Sequence, residues 1–187
     1  MPRLTLQTAI DDLKAILPKF FGLPLEEKEK LSFLNSPHFL GYNALGAEMT
    51  ASKTDLREQF EFSNNIEEEH SNPISFQCLR GPSKWPSDDT LPGFRKVLTR
   101  YHEEVTKLSY CFIHLVAEAL GLHPAAFDSL FVANPQHRIK VVRYPPSTTS
   151  DQGVGPHKMV DVPATGRRSS WSPSAQSQRP VDPCATG

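Results

Sequence analysis

Cysteine is scarce in this 187-residue chain: Cys78, Cys111 and Cys184 are its three, widely spaced and odd in number. That argues against a disulfide framework or a zinc knuckle, which need paired, regularly spaced thiols. Long apolar runs are missing too. None reaches the roughly 18 residues of a spanning helix, so no membrane association is expected. Excess charge of either sign is absent, with 20 Lys+Arg against 21 Asp+Glu. A nucleic-acid binder working through bulk positive charge is thereby excluded. The N-terminus runs from Met1-Pro2-Arg3-Leu4 straight into a segment holding Asp11 and Asp12. It has no apolar secretory core, and a cytoplasmic setting is expected. No GxxxxGK[S/T] or GxGxxG phosphate loop and no GxSxG elbow occurs.

Apolar content is also missing locally. Residues 162–187 hold four prolines and five serines but no Leu, Ile, Phe or Met. Such a stretch cannot bury enough surface to offset its ordering entropy and reads as a disordered tail. What is present lies before it. Leu6, Ile10, Leu13, Leu17 and Phe20 recur at helical spacing, predicting a helix over 5–20 that Gly22 breaks. Pro24 then opens a short helix through Lys30. Phe39–Tyr42 and Leu56–Phe62 read as strands, the second with Phe60 and Phe62 on one face. Residues 64–93 are loop-rich, and the acidic run Glu67–Glu69 reads as a solvated loop. From Phe94 to Leu120 a continuous apolar stripe, closed by Gly121, predicts a long buried helix. Cys111 and His114 on it read as structural. Pro124 starts a further short helix. Ile139–Pro145 is a β-branched strand, and Gly153–Met159 reads as the start of another. Helices first and strands last give an α+β domain whose sheet arrives late.

Few residues remain to carry chemistry, since His70 and His102 have no metal-ligand neighbours at helical spacing. The segments around Tyr144 and His157 are what is left. Seven segments in order bear on them: FFGLPLEEKEKL (Phe20–Leu31), GYNALGAE (Gly41–Glu48), DLREQFEF (Asp55–Phe62), RGPSKWP (Arg80–Pro86), LVAEALGL (Leu115–Leu122), KVVRYPP (Lys140–Pro146) and QGVGPHK (Gln152–Lys158). Together they resemble the isopenicillin N synthase-like branch of the 2-oxoglutarate/Fe(II)-dependent dioxygenases. The resemblance implies a helical N-terminal region (1–135), the first strands of an incomplete jelly roll, or double-stranded β-helix (136–161), and the tail (162–187). It also implies Fe(II) and 2-oxoglutarate as cofactors, and a small-molecule substrate, with secondary metabolism the family default. His157 falls at the first iron histidine and Tyr144 where family members contact the co-substrate's carboxylate; Arg143 reads as structural or solvent-facing.

The departures bear on activity. Met159 stands where the family's carboxylate belongs, and a thioether suits Fe(II) poorly. Asp161 is the alternative, two residues on and on the same face of a strand. No histidine follows His157 to serve as the second. Arg167-Arg168-Ser169 has the spacing of the family's Arg-x-Ser but sits in the tail and reads as coincidence. Val160-Asp161-Val162-Pro163 resembles a segment found further downstream in the family, as a skipped stretch and a changed reading frame would produce. The family's first strand and helix have no counterpart before Leu4. The expectation is a dioxygenase fragment with no catalytic residue of its own and no turnover alone. An interaction module built on the helical region is the alternative, and completion of the site by another subunit is a third reading.

Overall fold

The computed structural model describes residues 2–50, 52–64, 79–131 and 136–146. Helix α1 spans Pro2–Phe21. Its inward stripe is Ala9, Leu13, Ile16 and Phe20, at four- and three-residue steps, so one face meets the core. It ends where Gly22 donates its N–H to the Pro18 carbonyl at 3.0 Å. Helix α2, Leu25–Glu29, begins directly after Pro24 and carries Glu26 and Glu27 in its first turn, where the helix dipole favours acid.

The strands are β1 (Gly41–Asn43), β2 (Met49–Thr50), β3 (Lys53–Thr54), β4 (Glu58–Ser63) and β5 (Arg138–Arg143). An antiparallel sheet runs in the order β1-β4-β5, and β2 and β3 form a separate hairpin. Register pairs Tyr42 with Phe60, and Phe60 with Val141. Side chains alternate along each strand, so Tyr42, Glu58, Phe60, Phe62, Ile139, Val141 and Arg143 share one face, and Asn43, Gln59, Glu61, Arg138 and Lys140 the other. Gly41 starts β1 with φ 139°, and a Cβ there would stand 2.2 Å from the Leu31 carbonyl oxygen. Only glycine lets the strand pass that close, and Tyr42 N–H then donates to Leu31 at 2.8 Å.

Helix α3, Phe94–Ala119, lies with α1 against the apolar face. Phe20 stacks on Phe94 with ring centroids 4.6 Å apart, and Trp85 packs against Phe60, Phe62 and Phe94. This aromatic layer is the core. At its far end α3 closes in a Schellman turn: Leu122 N–H donates to Ala117 and Gly121 N–H to Glu118, both at 2.9 Å, with Gly121 at φ 73°. A 3₁₀ segment, Pro124–Leu130, follows.

Two expectations are corrected. The sheet does not arrive late, because β1 and β4 build two of its three strands before α3 begins. Nor is α3 buried along its length. Its fully buried positions are Phe94, Leu98, His102 and Ala117, while Phe112 and Leu115 are 63% and 61% exposed. The reason is length. α1 runs antiparallel to α3, with Phe20 at Phe94 and Asp12 bound to Arg100 at 3.2 Å. At equal rise per residue, Pro2 reaches only to about residue 110 of α3. Beyond that point Ala117 is still buried and the 3₁₀ segment Pro124–Leu130 meets α3 at His114, but Phe112 and Leu115 find no cover among the described residues. The expected strand at Gly153–Met159, the acidic run at Glu67–Glu69 and the tail lie outside the described residues.

Candidate functional site

The polar face of the sheet gathers a cluster of buried and half-buried polar side chains that takes no part in the aromatic core. The hairpin β2–β3 brings Glu48 and Asp55 together, with Asp55 N–H donating to the Glu48 carbonyl at 2.9 Å. One Glu48 oxygen accepts from Asn43 Nδ2 at 2.9 Å and from Gln59 Nε2 at 2.8 Å; the other accepts from Arg57 at 2.6 Å. Asp55 is 1% exposed and accepts from Thr50 at 3.0 Å, with the Arg57 guanidinium 3.2 Å away. Burial works against the charge on Arg57. Hydrogen bonds to Glu48 and to the Tyr144 hydroxyl, with the negative charges of Glu48 and Asp55, outweigh it and raise the guanidinium above its ordinary value. The cluster thus ends on Tyr144, one residue past β5, whose own side chain is 55% exposed. Beside it on the same face lies a hollow of about 180 Å³, lined among others by Phe33, Phe39, Asn43, Gln59 and Lys140.

A second charged cluster faces the core and is closed. Glu58 accepts from Lys28 at 2.8 Å, from Tyr42 at 2.6 Å and from Arg143 at 2.6 Å. Lys28, buried, also donates to the Phe21 carbonyl at 3.0 Å. Burial alone would raise the Glu58 carboxyl, but the bonds from Lys28, Tyr42 and Arg143 hold it below the ordinary carboxylate range. Burial, and then the bond to Glu58, push the Tyr42 hydroxyl well above its usual value. Both Glu58 oxygens are engaged, so this cluster ties α2, β1, β4 and β5 together, with only the Arg143 end reaching solvent. Arg143 is structural.

Of the residues expected to form a site, Tyr144 is described; His157 and Asp161 lie outside the described residues. Among the described residues, no three of His, Cys, Asp and Glu gather so as to hold a metal ion. A carboxylate is a different matter, because Tyr144 and Arg57 are both donors. His102 is buried and favours its neutral form: burial lowers it, more than its contact with the His137 carbonyl at 3.1 Å raises it. His114 sits 2.8 Å from Asp128, bracing α3 against the 3₁₀ segment, and Cys111 is free and exposed. Arg57, Glu48, Asp55 and Asn43 received no role from the sequence. The signal was there in the alternation of Arg57, Gln59 and Glu61 against Glu58, Phe60 and Phe62, which marks a polar strand face opposite the core.

Residues 6–88 match the family model described as non-haem dioxygenase in morphine synthesis N-terminal. The chain is 41% identical over 157 residues to 2-oxoglutarate-dependent dioxygenase frbJ of Dothideomycetidae sp. (strain 11243), covering 81% of itself and 42% of that relative. A 2-oxoglutarate-dependent dioxygenase of Gibberella zeae is 36% identical over 165 residues, which are 85% of the chain and 43% of the relative. Among solved structures, a 2OG-Fe(II) oxygenase family protein from Caulobacter crescentus superposes with TM-score 0.58 at 20% identity, over 79% of the chain and 45% of that protein. A full-length Neurospora crassa protein, solved in complex with alpha-KG, gives 0.52 at 23% identity, over 76% and 40%. These last two show the shared fold. The chain therefore spans about two-fifths of the length of the proteins it matches.

Proposed function

Since the chain belongs to the 2-oxoglutarate/Fe(II)-dependent dioxygenase family, we propose that it is the N-terminal helix-and-strand part of an oxygenase acting on a small organic molecule. In this reading residues 1–135 are the N-terminal-like region, 136–161 begin the jelly-roll core, and 162–187 are a tail. The observation that carries it is the 41% identity to a 2-oxoglutarate-dependent dioxygenase over 81% of the chain. Tyr144 then meets one carboxylate of 2-oxoglutarate, and His157, with Asp161 as the alternative carboxylate, belongs to the iron. Bound iron supplies O₂ activation. What this chain's described residues supply is a donor at Tyr144, braced from behind by Arg57.

Alone, the 187-residue chain is proposed to be inactive, because no histidine follows His157 and Met159 replaces the carboxylate. Purified chain given Fe(II), ascorbate, 2-oxoglutarate and O₂ should release no succinate above the protein-free blank. Succinate formed stoichiometrically with substrate-independent CO₂ release would overturn this.

A second reading, an interaction module, is favoured by one feature: the uncovered apolar stripe of α3, where Leu108, Phe112 and Leu115 are each more than half exposed. A monodisperse complex with a defined partner supports it; aggregation of the isolated chain argues against it.

A further inference from the structure

We propose that the hollow on the polar face of the sheet selects a substrate by its N–H groups: a flat ring bearing an uncharged carboxamide, ureide or lactam. The inference rests on the reading of the chain as part of an oxygenase acting on a small organic molecule, and it names the class of that molecule. Two side chains carry it. Asn43 and Gln59 stand opposite each other on β1 and β4, are 6% and 4% exposed, and line the hollow of about 180 Å³. Both amide nitrogens donate to the same Glu48 oxygen, at 2.9 and 2.8 Å. An ionised carboxylate only accepts, so Glu48 fixes which end of each amide it receives. The amide oxygens are left over. Among the described residues neither Asn43 Oδ1 nor Gln59 Oε1 has a hydrogen-bond partner.

Buried polar atoms in folded proteins are nearly always paired, because an orphan costs its full desolvation. Two orphaned acceptors on directly opposed residues of neighbouring strands match a group with two N–H donors. The rest of the lining narrows the class. Glu61 is matched by Arg138 at 3.2 Å and Lys140 at 3.5 Å, and Glu48 by Arg57 at 2.6 Å. No carboxylate is spare for a cationic ligand, and two amide oxygens beside carboxylates repel an anion. The remaining wall is aromatic: Phe33 and Phe39, with ring centroids 6.3 Å apart, suit a flat ring. Phe39 is held at φ 54°, in the left-handed region that a bulky residue rarely enters, and is 43% exposed. Backbone strain of this kind gathers at ligand clamps. Gly41 lines the hollow as well and contributes no side chain to fill it.

The test uses the full 187-residue chain, isotopically labelled on nitrogen, and four probes of one shape: benzamide, methyl benzoate, benzamidine and benzoate. The readout is the side-chain amide resonances of Asn43 and Gln59, assigned by their loss in Asn43→Leu and Gln59→Met. Benzamide should move both saturably and bind at least tenfold tighter than methyl benzoate, which keeps ring and carbonyl but has no N–H. Benzamidine and benzoate should each bind at least fivefold more weakly than benzamide. Gln59→Met, which removes one acceptor at nearly constant shape, should weaken benzamide at least fivefold. Phe39→Ala should weaken it by a similar factor, and Trp85 emission, from the core on the opposite face, should stay unchanged in both. Benzamide held as tightly by Gln59→Met as by the wild type overturns the proposal. If the variants fail to fold, the wild-type probe series decides. Methyl benzoate bound as tightly as benzamide sinks the N–H class and leaves the small-molecule reading standing, and benzamidine or benzoate bound as tightly sinks the uncharged class. No response to any of the four sinks this face as a small-molecule site, and the reading beneath it.

Discussion

Single residues in this chain divide by which face of β4 they stand on. Glu58, on the core face, is the partner of a lysine whose side chain is 8% exposed. Removing one member of a buried ion pair strands the other, so Glu58→Gln should cost about 3–5 kcal/mol in urea denaturation. Lys28→Met should cost clearly less, because Glu58 keeps Tyr42 and Arg143. His102 gives the pH dependence its sign. Its folded value is depressed below about 6.5, the ordinary value for histidine, so the unfolded chain binds the extra proton first. The stability tied to it is fully present above about pH 6.5 and is lost as pH falls through the folded value. Urea midpoints measured from pH 7.5 downward should therefore decline once the pH drops below about 6.5, and His102→Gln should flatten that part of the curve. Neither role was legible in the sequence. Lys28 reads only as one position of the short helix that Pro24 opens, and nothing local announces that Glu58, 30 residues away, will reach it.

Elements were easier to read than their environments. The period of α1, the breaker at Gly22, the Phe60/Phe62 face and the Gly121 stop are local properties, and the structure has each of them. Whether an apolar stripe is covered is not local. Along α3 the pattern is continuous, yet among the described residues Leu98 and Ala117 are buried while Leu108, Phe112 and Leu115 stand exposed. Leu98→Ala, in the covered half, should therefore lose about 2–5 kcal/mol, while Phe112→Ser in the uncovered half should change stability by no more than about 0.5 kcal/mol. Denaturation of the pair distinguishes the two halves directly. Gly41→Ala tests the close pass of β1 beneath Leu31. A Cβ forced to 2.2 Å and the positive φ together should cost on the order of 3 kcal/mol and lower the melting temperature accordingly.

For the whole molecule, the family was legible from segments in sequence order, and the relatives agree with it. The polar site was not, because its members come from β1, the β2–β3 hairpin, β4 and the end of β5, and only sheet register brings them to one face. That register also sets a timetable. β4 is the central strand, and while β1 is close at hand, its other neighbour is far along the chain: Glu58 meets Arg143 85 residues later. At about 5–20 residues per second of synthesis, β4 waits roughly 4–17 s with one edge open. During that interval, Glu58 lacks one of its cations and the Arg57 cluster lacks its tyrosine. A nascent chain of this protein therefore offers an unpaired strand edge until β5 arrives, and translation speed between residues 63 and 143 becomes a variable in its yield.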